Sequence, residues 1–462
     1  MAGLGGFSLA AWLAACGGSN GEGAAPATIS GTAATGATGA TTTEAAPPAD
    51  LTMWWWGEQN YPGEGAVLRQ LVSEYVSQNP GTSVKEVLQG TDETIPAYQA
   101  AAKAGEGPDI ATLWYGAYMF TEVWKGNVEP LSDYIPASET DHWLEAKFNS
   151  FGGKIWASGV SGDGAAILYN KDHFRTAGLD PDNPPSTWAD LVSACEALKK
   201  AGFTPISSGV KDGWFGVVFM NFVVPQLAGG SPSSLLKDAS SGEASWTDER
   251  LANMWQRLEE LKQRDFFNQN ITSLGYFEGK EAFDAGEASL TFTGAVTFAI
   301  NSVNEAGEDK VGIMAAPDLE DNPGGFIPGM PLSEFITPFS EQKEAGAAFL
   351  QWLHQPEAQQ AMYEQSNGVM IPTDDRFDYS QVAPEWLTRV YDQVVEAMDR
   401  DIPYADGIVP YEILEGGPMK AMTLTFAENQ PPAASAEMSQ KAAENWQNLN
   451  PQLVDLYKDW AV

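Results

Sequence analysis

Basic residues, histidine and cysteine are all scarce in this chain of 462 residues. Lys and Arg number 25 against 62 Asp and Glu, a formal charge of −37. Such a field repels phosphate backbones and anionic bilayer surfaces, which argues against nucleic acid as a partner. Charged residues still make up only 19% of the chain, so the imbalance is a shortage of bases on a solvated surface rather than an acidic tail. His142, His173 and His354 never fall within metal-ligand spacing of one another or of a cysteine, so no zinc or iron site is expected. Cys16 and Cys195 are too few for a disulfide framework. Also missing are a phosphate-cradling Gly-rich loop ending in Lys-Ser or Lys-Thr, a dinucleotide fingerprint and a Gly-x-Ser-x-Gly elbow. The acidic run Asp318 to Asn322 looks superficially like a calcium loop, but Pro323 stands where that loop needs Gly. No metal and no cofactor are expected.

What is present is apolar and aromatic. The chain is 43% apolar and 11% aromatic with 16 Trp, a globular composition with more indole than packing alone usually requires. Its length suggests about two to four domains. Phe7 to Ala15 is an uncharged apolar stretch too short to span a bilayer and the right size for a signal-peptide core. It ends in Leu13-Ala14-Ala15-Cys16, which looks like a bacterial lipobox, so residues 1–15 are expected to be cleaved and Cys16 to carry lipid. No Lys or Arg precedes the run, where a leader normally has a basic segment, so the true start is expected to differ from the one given. Residues 16–49 lack any aromatic side chain and cannot build a core, which reads as a flexible tether of about 30 Å reach. Two acyl chains on Cys16 would anchor it stably.

From residue 50 the pattern is α/β. Leu51 to Trp56 is apolar throughout, as buried parallel strands are, and Val67, Leu68, Leu71, Val72, Tyr75 and Val76 then recur at helical spacing. Further strands are expected at Ile110 to Trp114, Lys154 to Ser158 and Ala165 to Tyr169, the last two flanking a Gly-rich stretch that suits a crossover between domains. Thr187 and Asp190 have capping-box spacing, and the helix they open carries Trp188, Leu191, Val192, Cys195 and Leu198 on one face. Cys195 therefore reads as a buried core residue.

Several segments together resemble the carbohydrate-binding branch of the bacterial extracellular solute-binding proteins, family 1. They are Gly107-Pro108-Asp109-Ile110, Gly153-Lys154-Ile155-Trp156, Leu168-Tyr169-Asn170-Lys171-Asp172, Pro185-Ser186-Thr187-Trp188-Ala189-Asp190-Leu191 and Pro356-Glu357-Ala358-Gln359, in order across about 300 residues. The resemblance implies a two-lobed periplasmic-binding-protein-like fold (type II) with a ligand cleft between the lobes. Lobe 1 is expected at 50–160 and 290–338, and lobe 2 at 165–285 and 340–462. It also implies a monomer that captures a small carbohydrate at the outer face of the bacterial cell membrane and delivers it to the membrane subunits of an ABC importer.

Carried over from the maltose-binding relative, Glu58 and Gln59 stand where an acid and a Lys meet sugar hydroxyls, and Asp163 stands at a ligand-binding Glu. Asp212-Gly213-Trp214 resembles an acid-x-aromatic pair that grips sugar, and Trp114 lies one place from a site aromatic. The family's common Trp falls here at Val296, so its stacking surface is expected from Phe298 or from Trp55 and Trp56. The chemistry is consistent: a pyranose presents apolar faces to flat aromatics and a rim of hydroxyls to acceptors. The plain alternative for any Trp is core packing, expected for Trp188, Trp255 and Trp352, and for Glu58 or Asp163 a solvated surface. Other functions fit parts of the same pattern. Acids with aromatics also make cages for amines, and a glycoside hydrolase needs two carboxyls about 5 to 9.5 Å apart across its substrate.

Overall fold

The computed structural model describes residues 48–56, 64–227, 232–319, 322–329, 332–398 and 404–460. The expected leader, Cys16, the expected tether up to residue 47, and Glu58 and Gln59 lie outside them.

Eleven strands occur among the described residues: β1 (Asp50–Trp56), β2 (Ser83–Gln89), β3 (Ile110–Leu113), β4 (Ser150–Phe151), β5 (Lys154–Ile155), β6 (Asp163–Asn170), β7 (Thr204–Ile206), β8 (Ala288–Thr293), β9 (Val311–Met314), β10 (Ile327–Gly329) and β11 (Ser333–Ile336). The first sheet has the order β11-β3-β1-β2. Its β1 pairs in parallel with β2, Leu51 opposite Val84, and with β3, Met53 opposite Ile110. Parallel pairing needs crossovers, and helices Glu64–Gln78 and Thr94–Ala104 supply them. The last strand, β11, joins β3 antiparallel.

The second sheet is built on β6. It pairs antiparallel with β8 on one side and with β9 and β10 on the other, and β7 adds to β8 in parallel. Helix Trp214–Leu227 covers this sheet. It is apolar around its whole circumference, the signature of a helix buried on every side, and Phe215, Phe219 and Phe222 all close on Phe292 of β8. The chain passes from the first lobe to the second through Ser158–Asp163, returns between β10 and β11, and passes again after helix Glu385–Met398. The architecture is the two-lobed α/β fold.

The lobe boundaries differ from expectation in two places. Strands β8 and β9 pair with β6, so residues 290–314 belong to the second sheet and only β11 returns to the first. Residues 340–398 pack on the first lobe instead of the second, with helix Glu385–Met398 also touching β10 of the second sheet. Tyr75 holds Phe349 at 4.8 Å and Trp352 at 5.4 Å between ring centroids, Gln365 donates to Glu74 at 3.0 Å, and Gln342 bonds to Asp50. Only the final helices, from Ala405 onward, lie with the second lobe. Periodicity shows that a strand or helix exists but not which sheet edge it joins.

Local readings are met residue by residue. Thr187 accepts the Asp190 N–H at 3.1 Å and caps its helix, and Cys195 is fully buried, with burial pushing its thiol pKa up. Among the described residues no group of His, Cys, Asp and Glu is arranged to hold a metal, and no helix is long and apolar enough to cross a membrane.

Candidate functional site

Between the lobes lies a partly open cavity of about 90 Å³. Its walls are aromatic. Trp56 is the last residue of β1. The alternation along that strand turns Leu51, Met53 and Trp55 into the core, and the strand then ends, leaving Trp56 on the cavity with its indole N–H donated to Thr91 Oγ1 at 3.0 Å. Trp114 follows β3 directly and meets Trp56 edge to face at 5.4 Å. Its ring also lies 5.8 Å from Tyr118 on the same lobe and 5.9 Å from Trp214 on the other. These indoles therefore form one chain of rings across the cleft.

Trp214 opens the buried helix of the second lobe. Gly213 before it has φ +82°, a left-handed conformation that a side chain would strain, and a Cβ there would also meet the Met419 backbone oxygen at 2.8 Å. The Asp212 carboxylate fixes this corner: Oδ1 accepts the Trp214 N–H at 3.2 Å and Oδ2 accepts the Tyr276 N–H at 2.9 Å. Burial raises the Asp212 pKa while these hydrogen bonds pull it down. One carboxylate thus ties the starts of two helices, Trp214–Leu227 and Tyr276–Asp284, whose first side chains face the cavity.

The remaining second-lobe wall is built around Gly294. Its N–H donates to the Tyr276 hydroxyl at 2.8 Å, and its carbonyl accepts from the Tyr404 hydroxyl. Phe277 and Phe298 meet edge to face at 5.8 Å beside it. Near the cavity the lobes touch backbone to backbone. Gly116, at φ +76°, approaches Gly407 so closely that a Cβ would fall 2.0 Å from the Gly407 oxygen.

Asp163 is the only acid, and no base is present, among the described residues lining the cavity. Its Oδ1 accepts the Gly164 N–H at 2.8 Å and the Thr297 N–H at 3.1 Å, and its Oδ2 accepts the Thr297 hydroxyl at 3.1 Å. The carboxylate so occupied sits over the start of helix Val296–Ala306, an arrangement that favours its charge. Burial outweighs these bonds and raises its pKa to about 7.

The structure therefore brings together Trp56, Trp114, Asp163 and Trp214. Trp55 is corrected: it is 1% exposed in the core of the first lobe, because the strand's alternation turns it away from its neighbour. Asp212 does not line the cavity: it is exposed, and each carboxylate oxygen accepts one backbone N–H. Val296 is buried and does not line the cavity, whereas Phe298 does. Tyr118, Tyr276, Phe277 and Tyr404 were not anticipated, and no sequence signal marks them, since each reaches the cavity only through tertiary packing.

Comparison with known proteins gives a consistent picture. The sequence matches the family described as bacterial extracellular solute-binding protein over residues 70–386. It is 24% identical over 347 residues to the sn-glycerol-3-phosphate-binding periplasmic protein UgpB of Escherichia coli strain K12, covering 69% of this chain and 73% of that one. A chitin oligosaccharide binding protein superposes with a TM-score of 0.75 at 22% identity, covering 86% of this chain and 98% of its own. Maltose-bound MalE3 of T. maritima superposes with a TM-score of 0.70 at 18% identity, covering 86% and 99%. Both structural relatives share the fold, and both are binding proteins by name or bound ligand. The chain belongs to the bacterial extracellular solute-binding proteins.

Proposed function

We propose that the protein captures a neutral mono- or oligosaccharide outside the cytoplasm and delivers it to an ABC importer, acting as a monomer tethered through lipid on Cys16 and carrying out no chemistry. The observation that carries the ligand class is the cavity wall. Trp56, Trp114 and Trp214 offer flat apolar faces from both lobes, and no Lys, Arg or His stands among the described lining residues. An anion such as the glycerol phosphate of the sequence relative would find no countercharge among these described residues. An amine would find Asp163, but that carboxylate is already engaged by Gly164 and Thr297, and burial raises its pKa to about 7, so it makes a weak cation site. The chitin oligosaccharide and maltose of the structural relatives are neutral ligands of the favoured kind. Glu58 and Gln59, two and three residues after Trp56 in the sequence, would add acceptors and donors for sugar hydroxyls. Closing the lobes would bury the sugar, as in hinged binding proteins.

A thermal-shift panel of chito-, xylo- and malto-oligosaccharides, sn-glycerol 3-phosphate and putrescine tests the reading. A binder present at 100 times its dissociation constant adds about 2.7 kcal/mol of stability. Neutral sugars should raise the melting temperature and be recovered intact after long incubation. A response only to the phosphate or the amine, or the release of new reducing ends, overturns it. The tether is tested separately: Cys16→Ala should move the protein from the membrane to the soluble fraction.

A further inference from the structure

Outside the cavity, a second set of aromatic side chains joins the lobes. Helix Ala117–Trp124 belongs to the first lobe. It follows β3, and its Phe120 and Trp124 each lie 6.2 Å from Phe151 of the β4–β5 hairpin. Against its other side comes the chain's final helix, Pro451–Asp459, with Trp460 just beyond. Trp460 lies 5.1 Å from Phe120 and 5.9 Å from Trp124, and Tyr457 lies 5.8 Å from Trp124. Tyr457 is 0% and Trp460 2% exposed, so the contact is dry.

The same segment is fastened to the second lobe by polar bonds. The Tyr457 hydroxyl donates to the Ile408 carbonyl at 2.7 Å, and Lys237 Nζ, on helix Pro232–Ser241, donates to the carbonyls of Lys458 at 3.1 Å and Trp460 at 3.0 Å. Lys458 also pairs with Glu243. A helix end bound in this way moves with the second lobe, because separating it would leave the Lys237 ammonium and those carbonyls without partners. If the lobes part at this contact, Trp460 and Tyr457 come off Phe120 and Trp124 and large apolar rings are wetted.

We propose that Trp460 and Tyr457 are positioning residues for solute capture, which set affinity by holding the lobes together without touching the cavity. Neither residue lines the cavity. The inference rests on the hinge closure proposed above. If a solute binds the closed arrangement, its apparent dissociation constant is the intrinsic one divided by the fraction of protein already closed. Removing the aromatic contact lowers that fraction and weakens every solute by a common factor, while a change within the cavity alters solutes unequally.

The test uses the mature chain, wild type, Trp460→Ala and Trp460→Phe. Small-angle scattering is measured without solute and with a saturating mixture of chito-, xylo- and malto-oligosaccharides, and binding is measured by titration with the same mixture. Circular dichroism should show equal helix content in all three. Solute-free Trp460→Ala should have a larger radius of gyration than wild type, return to the wild-type value when saturated, and need at least 10-fold more sugar. Trp460→Phe should restore most of both, which a general loss of packing would not predict. Phe120→Ala, which strips the same contact from the first lobe, should repeat the result. A solute-free radius and affinity unchanged in both Trp460→Ala and Phe120→Ala overturns the proposal. A wild-type radius indifferent to bound sugar instead rejects hinge closure itself, a separate result read from the wild-type arm alone.

Discussion

Trp56, Trp114 and Trp214 meet across the lobes around empty space, whereas Phe120, Trp124, Tyr457 and Trp460 meet across the same lobes in a dry contact. The residue types are alike and so are the ring separations. What differs is backbone support. Around the cavity each ring stands at the end of an element, with the wall behind it built from Gly213, Gly294 and backbone hydrogen bonds, so no neighbouring side chain fills the gap. In the other cluster the rings project from the middle or end of two helices lying side by side, and they interlock. Indole at an interface therefore identifies a binding surface only where the backbone geometry leaves a face uncovered.

The largest effect that sharpens this contrast is on stability. Trp55 and Trp56 are adjacent and both buried, but only Trp56 also lines the cavity. Trp55→Ala should destabilise the fold by about 3 to 5 kcal/mol, as the loss of a buried Trp does. Trp188→Ala should do the same, since its ring is buried and its indole N–H is given to Glu260 at 3.1 Å. Denaturant titration measures both. If these variants melted like wild type and lost sugar instead, the division between core and wall would be wrong.

Next in size is affinity. Trp214→Ala should weaken sugar binding by at least about 2 kcal/mol while the fold survives, because the ring is only half-buried and its helix remains tied by Asp212. Calorimetric titration beside a melting curve separates the two quantities. Loss of melting temperature without loss of affinity would place Trp214 in the same class as Trp188.

How far these roles could be read from sequence depends on the distance over which they are decided. Trp56, Trp114 and Trp214 were legible because a strand end, a loop start and a Gly are local features. Trp55 was not separated from Trp56, since a short, wholly apolar strand does not show which way its last side chain turns. Asp212 has a second role, bracing two helix starts, that the sequence does not show. Its partner Tyr276 lies 64 residues away, and only the fold shows both carboxylate oxygens spent on backbone N–H groups. Tyr404 reaches Gly294 across 110 residues and left no trace in any periodic pattern. The lobe assignment of residues 340–398 failed for the same reason, because helix Lys343–Leu353 has an amphipathic face that fits either lobe until Tyr75 is seen against it.

The cavity acid gives a smaller, pH-dependent effect. The folded pKa of Asp163, about 7, lies above its ordinary value, so between pH 4 and 7 the folded protein binds more protons than the unfolded chain. The stabilisation from this proton is complete below pH 4 and is lost as pH rises through 7. Its slope is at most about 1.4 kcal/mol per pH unit. Compared with wild type, Asp163→Asn should therefore lose its stability deficit, or gain an advantage, as pH rises from 4 to 8. Melting curves across that range test it, and a difference that runs the other way would mean that the hydrogen bonds from Thr297 and Gly164 outweigh burial.

The smallest expected effect is the most diagnostic of solute class. A chain with a formal charge of −37 exerts a long-range field on any ion, and salt at about 0.15 M shortens the reach of that field to about 8 Å. An amine is attracted by it and should bind more weakly as salt rises. A phosphate ester is repelled and should bind more tightly. A neutral sugar held by indole faces and hydroxyl contacts carries no net charge for the field to act on, so its affinity should stay within about twofold between 20 mM and 500 mM salt. The aromatic contact of Phe120 and Trp124 with Tyr457 and Trp460 is uncharged as well, so salt should leave the lobes' own contact there unchanged. A steep slope in either direction would then have to come from charge on the solute, and its sign would say whether Asp163 is meeting a cation or the acidic surface is turning an anion away.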